Sequence, residues 1–295
     1  MRRRHRMTPR LRTWPPLAVL CCLVLLTAAA TAERGERLDY RVSYRGVFTL
    51  GEDMPIADLS LESRGATEVG LSEVRLEISS HDYPQVESLY PIRYRLRSWA
   101  ESGTGELFAF SVYEQTRDDR HRLFLRDESA SGTRRHDLHA GDGREQMAQL
   151  NAGARPRAPA LAGPLFDRLG LLQRIRTEDL HAGAEYRIPV TNGRKRFSYR
   201  VRVEGEQLLR LSEAAVPAWK LRVDGIVTKA DGRQEVAHLP LYLWLSQAAG
   251  RTPLRVEARH AIGLFRIELD GWPAEILSVR RAPMASLSRP PVSGD

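Results

Sequence analysis

The residues best placed to do chemistry in this sequence sit in "RRHDLHAGDG", where His136, Asp137, His139 and Asp142 fall within seven positions. Imidazole and carboxylate donors at such spacing can hold a divalent cation from a loop. On a strand, however, two histidines three apart face opposite sides, and zinc needs further ligands with partners that orient them. The pattern is therefore nonspecific, and a solvated loop is the favoured reading, with His136, His139 and Asp142 kept as the only metal candidates. His81-Asp82 offers half of a proton-transfer pair but has no nucleophile beside it, so "SHDYP" reads as a turn. His260, between two late strands, reads as a structural hydrogen-bonding residue.

A second chemistry is electrostatic. Arg93, Arg95 and Arg97 alternate along "IRYRLRSW", and with Arg196, Arg200 and Arg202 they can form a cationic sheet face for an anionic ligand. The competing reading is a solvated face balanced by neighbouring acids. A third is apolar: "LPLYLWLS" alternates so that Leu243 and Leu245 point one way and Tyr242 and Trp244 the other. Those aromatics either lie under a helix or line a surface that accepts an apolar ligand. Trp244, Tyr242, Arg93, Arg95 and Arg97 are thus the candidate binding residues. Catalytic signatures are lacking: there is no G-x-S-x-G, H-E-x-x-H, phosphate loop, dinucleotide fingerprint or C-x-x-C. No cofactor is expected.

The elements that must position these residues are strands. Period-two alternation runs through "LDYRVSYRG", "LSEVRLEIS", "IRYRLRSW", "FAFSVYEQ" and, more weakly, "HRLFLRD". It resumes at "EYRIPVTNGRKRFSYRVRVEG", where Asn192-Gly193 predicts a type I′ hairpin with Phe197, Tyr199, Val201 and Val203 turned inward. Further strands follow at "AWKLRVDGIVT", "LPLYLWLS", "PLRVEA" and "GLFRIEL". In the last three, Leu243, Leu245, Val256 and Leu264 are expected in the core. Helical spacing of Leu165, Leu169, Leu172 and Ile175 predicts one short amphipathic helix over Pro164–Arg176. About eleven strands and one helix indicate an all-β fold, mainly antiparallel, either a curved open sheet or a barrel-like domain.

Location follows from the N-terminus. Six arginines precede the apolar run "LAVLCCLVLL" and the ending Ala30-Thr31-Ala32, the pattern of a secretory leader over residues 1–32 cleaved before Glu33. An uncleaved anchor is the alternative. Both cysteines, Cys21 and Cys22, leave with the leader, so neither disulfides nor thiol chemistry is expected afterwards. The formal charge of +8 is largely the leader's: without it 39 basic residues face 37 acidic ones, a net +2. That balance and export argue against a nucleic-acid partner. Residues 33–281 are expected to form one domain, interrupted by a mobile crossover at 151–164 and followed by a disordered tail at 282–295.

Three stretches carry a resemblance: "LDYRVSYRGVFTLGEDMPIADLSLE", "FDRLGLLQRIR" followed by "GAEYRIPVTNGRKRFSYRVRVEGEQLL", and "LYLWLSQAAGRTPLRVEARHAIGLFRIEL". Together they resemble the DUF3108 family of exported bacterial proteins. The landmarks are Trp244-Leu245-Ser246, Arg251-Thr252-Pro253 and Ile262-Gly263, with Ala248, Ala249 and Gly250 where the family's turn is usually acidic. The resemblance implies a β-rich envelope protein and no particular reaction. The expectation is a periplasmic, non-enzymatic protein of envelope assembly or maintenance, with no membrane span after leader removal. A lipid or other envelope component, apolar or amphipathic, is the expected ligand. The alternatives are a hydrolase of an envelope polymer and a scaffold that binds protein along a sheet edge.

Overall fold

The computed structural model describes residues 35–115, 119–139, 143–157, 163–211, 214–228, 233–236 and 239–271. The leader at 1–32, the tail at 282–295, Asp142 and part of the crossover lie outside them. Alternating side chains make the first half of the sheet: β1 (Glu36–Gly46), β2 (Met54–Arg64), β3 (Leu71–Ser79), β4 (Arg93–Glu101), β5 (Leu107–Gln115), β6 (Asp119–Arg126) and β7 (Thr133–Asp137). The second half is β8 (Glu185–Thr191), β9 (Arg196–Leu211), β10 (Ala214–Thr228), β11 (Gln234–Val236), β12 (Leu241–Ser246), β13 (Pro253–His260) and β14 (Gly263–Leu269). Among the described residues three α-helices are present where the spacing predicted one: α1 (Pro84–Leu89), α2 (Arg144–Asn151) and α3 (Arg168–Thr177). The expected turn at "SHDYP" runs straight into α1, with Pro84 at its first position.

All ladders are antiparallel, in the order β7-β6-β5-β4-β3-β2-β1-β14-β13-β12-β10-β9-β8, with β11 on β10. The register puts Leu38, Tyr40 and Val42 of β1 on one face with Leu61, Leu59 and Ala57 of β2. The same face continues through Leu96, Val112 and Phe124 on one side and through Ile267, Val256, Leu243, Leu221 and Val203 on the other. This inner face holds the core. Its two ends, β7 and β8, do not pair with each other. The chain at 165–167 instead joins β8 to the start of β5: Leu107 N–H donates to the Leu165 carbonyl, Phe166 N–H to that of Pro189, and Thr191 N–H to that of Phe166. The Thr191 hydroxyl also donates to the Ser131 carbonyl at 2.7 Å. The result is a nearly closed barrel.

Helix α3 lies against the inner face. Leu169 joins the cluster of Leu38, Tyr40 and Phe110, while Leu171 and Ile175 join that of Val201, Leu221 and Leu243. It starts four residues later than the spacing predicted, because Asp167 caps it: Asp167 Oδ1 accepts from Gly170 N–H at 2.7 Å. At the other end Arg176 donates to Glu36 (2.8 and 3.0 Å) and to the Gly250 carbonyl (2.8 and 3.1 Å). Helix α2 covers the outer face, where Met147 and Leu150 pack with Trp99, Leu123 and Leu125.

Several local readings differ in detail. The β8–β9 hairpin is present, but its loop is Asn192 to Lys195. Gly193 takes a φ of +83°, and the Asn192 side chain accepts from the N–H groups of Arg194 and Lys195 at 2.9 Å each. A four-residue loop built on an asparagine cap thus replaces the type I′ turn. Period-two alternation in "FAFSVYEQ" groups Phe108 with Phe110 and Val112, yet a bulge at Trp99/Ala100 sends Phe108 to the outer cluster. Val256 and Leu264 are only half-buried, because the β13–β14 hairpin end is open to solvent at His260.

Trp244 is 5% exposed, against 3% for Leu243 and 0% for Leu245. The β9–β10 hairpin accounts for this. A bulge at Lys220/Leu221, with Gly205 at φ +140°, brings Leu209, Leu211 and Val216 into the cluster that contains Trp244. The indole N–H donates to Gln207 Oε1 at 2.9 Å, and Arg255 donates to the Arg210 carbonyl. Strand β12 is therefore packed on both faces. Leu243→Ala is expected to cost about 2–5 kcal/mol and Trp244→Ala about 3–5 kcal/mol in chemical denaturation, so the two losses should be of similar size.

Candidate functional site

The arginines of β4 lie on its outer face, and each meets an acid. Arg93 pairs with Glu87 of α1 at 2.7 Å, Arg97 with Glu73 at 2.7 Å, and Arg95 with Glu77 at 3.9 Å. Arg95 also covers the Tyr113 ring, and Arg97 the Trp99 ring. Burial by itself would raise the Glu73 carboxyl, but Arg75 and Arg97 outweigh it and hold it below its ordinary value. On β9, Arg200 meets buried Asp224 at 3.4 Å and Arg202 meets Glu185 at 3.0 Å. The stripe is thus a set of ion pairs. The strand order leaves β4 and β9 non-adjacent, so the two groups do not combine into one surface.

His136 lies on β7 and His139 in the turn after it, where His139 N–H donates to Asp137 Oδ1. Among the described residues no three histidine, cysteine or acidic side chains are grouped to hold a metal ion, and Asp142 lies outside those residues. Tyr242 is half-buried beside Trp244, with their ring centroids 6.3 Å apart, and Lys220 Nζ sits over the Tyr242 ring.

The structure assembles a different site, at the end of the inner face where α3 begins. It is a pocket of about 240 Å³ between β4, β5, β6, the β8–β9 loop and the first turn of α3. Its apolar wall is Leu96, Val112 and the stacked rings of Phe110 and Phe124, whose centroids are 4.6 Å apart. The Phe124 ring also fixes the β8–β9 loop: a Cβ on Gly193 would come within 2.3 Å of it. The polar wall contains four arginines, Arg120, Arg122, Arg168 and Arg194, against two carboxylates, Glu114 and Asp167. Among the described residues Arg168 and Arg194 make no ion pair with a carboxylate.

Two of these polar groups are nearly removed from water. Arg122 is 9% exposed and donates through Nη2 to Glu114, while its Nε has no partner. Asp167 is 2% exposed. Its Oδ1 accepts from Gly170 N–H and from the Ser98 hydroxyl at 2.9 Å, while its Oδ2 has no partner. Burial pushes the Asp167 carboxyl up to about 6, although the Gly170 and Ser98 hydrogen bonds pull it down. Tyr94 is also raised by burial, with Arg168 opposing. Such a wall suits an anion: arginine donates without giving up its proton, and the surrounding apolar side chains strengthen the attraction.

These residues belong to none of the sequence motifs. A signal was nevertheless present in the alternation: Glu114 continues the phase of Phe110 and Val112, and Arg120 and Arg122 continue the phase of Phe124. Charges in register with an apolar face mark a polar end of the interior rather than a solvated side.

The raised Asp167 carboxyl has a measurable consequence. Its proton is held more tightly in the folded chain than in the unfolded one, so this group's contribution to stability falls as pH rises from about 4 to about 6. Asp167→Asn keeps the cap and removes the titration. The stability of the variant relative to the natural chain should therefore rise across that window, by up to about 3 kcal/mol, in denaturant titrations at pH 4 and pH 7. A difference that does not change with pH would exclude a raised Asp167.

No helix among the described residues is long and apolar enough to cross a membrane. No curated protein matches the sequence. Among solved structures, the beta-barrel-like protein of domain of unknown function DUF1849 from Brucella abortus is similar at 10% identity and a TM-score of 0.43, covering 81% of this chain and 96% of that one. The family match runs over residues 39–270, from β1 to the residue after β14. On that span the chain belongs to the family described as Protein of unknown function (DUF3108).

Proposed function

We propose that this protein is a periplasmic, non-enzymatic binding protein of the cell envelope, released from its leader after Ala32. It holds an anionic amphipathic molecule at the α3 end of the barrel. The observation that carries this reading is Arg122, a buried arginine lining the same pocket as the stacked Phe110 and Phe124 rings, with its Nε–H buried and unpartnered. Burying a charge is costly unless it is paired and hydrogen-bonded, and a ligand anion supplies what Glu114 alone leaves undone. The lumen itself is filled by α3 and core side chains, so the ligand's polar group and only a short apolar part fit inside about 240 Å³. Arginine neither gives nor takes protons near neutral pH, which supports binding over proton-transfer chemistry.

Calorimetric titration with decyl phosphate, decanoate and decyltrimethylammonium tests this. Both anions are expected to bind with one-to-one stoichiometry and the cation not to bind. Arg122→Met, which keeps an apolar stem, should weaken the anions tenfold or more. Equal binding of cation and anions, or anion binding indifferent to Arg122→Met, would overturn the proposal.

A further inference from the structure

The residues lining the pocket include a second buried, unmet polar group, opposite in kind to the first. Arg122 Nε is a donor without an acceptor, and Asp167 Oδ2 is an acceptor without a donor. Both belong to residues at least nine-tenths buried, and both residues line the same pocket. A simple alkyl phosphate or carboxylate answers only the first. It also brings a negative charge toward the Asp167 carboxylate, with nothing to offer Oδ2. A ligand that fits both must carry an anion and, on the adjoining group, an O–H or N–H.

Resting on the anion-binding reading above, we propose that the pocket recognises a phosphate ester of a hydroxylated alcohol. Its phosphate is held by Arg122 with the arginines around the rim, and its neighbouring hydroxyl donates to Asp167 Oδ2. The local structure supports a built acceptor rather than an incidental one. Asp167 is fixed twice through Oδ1, by the first turn of α3 and by Ser98 of β4, and these bonds hold the other oxygen in place. The face of the stacked Phe110 and Phe124 rings suits the C–H groups of a polyol next to the phosphate. The same headgroup chemistry occurs in a phospholipid with a glycerol headgroup and in free glycerol phosphate. The apolar wall of Leu96 and Val112 favours the form that carries an acyl or alkyl chain.

The experiment compares three probes by calorimetry: decyl phosphate, decyl phosphoglycerol and free glycerol 3-phosphate. With the natural chain, decyl phosphoglycerol should bind at least tenfold more tightly than decyl phosphate, and free glycerol 3-phosphate more weakly than either if the chain is recognised. Asp167→Ser retains a capping oxygen for Gly170 but lacks the second oxygen. In that variant the ratio of the two decyl affinities should fall to within threefold of one. Should Asp167→Ser fail to fold, Asp167→Asn is read with the decyl ester of phosphoethanolamine, whose ammonium only donates; its advantage over decyl phosphate should disappear. A ratio near one in the natural chain, or a tenfold ratio that survives loss of the Asp167 oxygen, overturns this inference while leaving the anion site standing. Failure of every decyl anion to bind instead removes the reading on which it rests.

Discussion

The structure depends on how one long antiparallel sheet is closed. Edge strands carry rows of unpaired N–H and C=O groups, and here β7 and β8 are the two ends of the ladder without pairing to each other. The chain at 165–167 hydrogen-bonds to β8 on one side and accepts from Leu107 at the start of β5 on the other, and then enters the barrel as α3. Two polar anchors hold the helix across the inner face. Asp167 is tied to Ser98 at one end, and Arg176 to Glu36 and the Gly250 carbonyl at the other. Buried backbone and charged groups must be paired, so closure of the sheet and placement of the helix are one event.

Filling the lumen with α3 decides where open space remains inside the barrel. Leu169, Leu171 and Ile175 occupy the space that a hollow barrel would offer an apolar guest. What remains is the end beside the helix cap, where inward positions of β5 and β6 change from phenylalanine and valine to glutamate and arginine. Arg122 and Asp167 lose water there without gaining full sets of partners. A polar group that is only partly satisfied in a low-dielectric site interacts strongly with whatever completes it, which is the physical basis of the anion site proposed above.

The outer face shows the opposite use of arginine. Arg93, Arg97, Arg200 and Arg202 are matched by acids on adjacent strands or on α1, and α2 covers the wall around Trp99. Arg202–Glu185 is exposed and contributes little, whereas Glu73 and Asp224 are buried and depend on their arginines; with each charge matched, the pairs leave no concentrated field. The Trp244-Leu245-Ser246 and Arg251-Thr252-Pro253 landmarks also have a structural reason. Ser246 and Thr252 are both 1% exposed and exchange hydrogen bonds across the β12–β13 turn, which Arg176 of α3 grips through Gly250. The landmark Ile262-Gly263 makes a second close approach, where Gly263 at φ +152° lies against Arg45 and Tyr44 of β1.

The sequence by itself determined the antiparallel β class, most of the strands and which side chains share a face, because the pleat imposes a period of two on every strand. It also located α3 to within four residues, and it overlooked α1 and α2, which are short and carry little apolar periodicity. It did not determine whether a face is covered. Tyr242 and Trp244 alternate correctly against Leu243 and Leu245, but only the bend of the β9–β10 hairpin buries Trp244. Nor did it reveal the pocket. Arg122 and Asp167 lie in a weakly patterned strand and at a helix cap, 45 positions apart, where each reads as an ordinary surface or capping residue. Their meeting was decided by the tertiary structure alone, since it follows from closing the sheet through 165–167, a contact between segments remote in sequence that no local periodicity records.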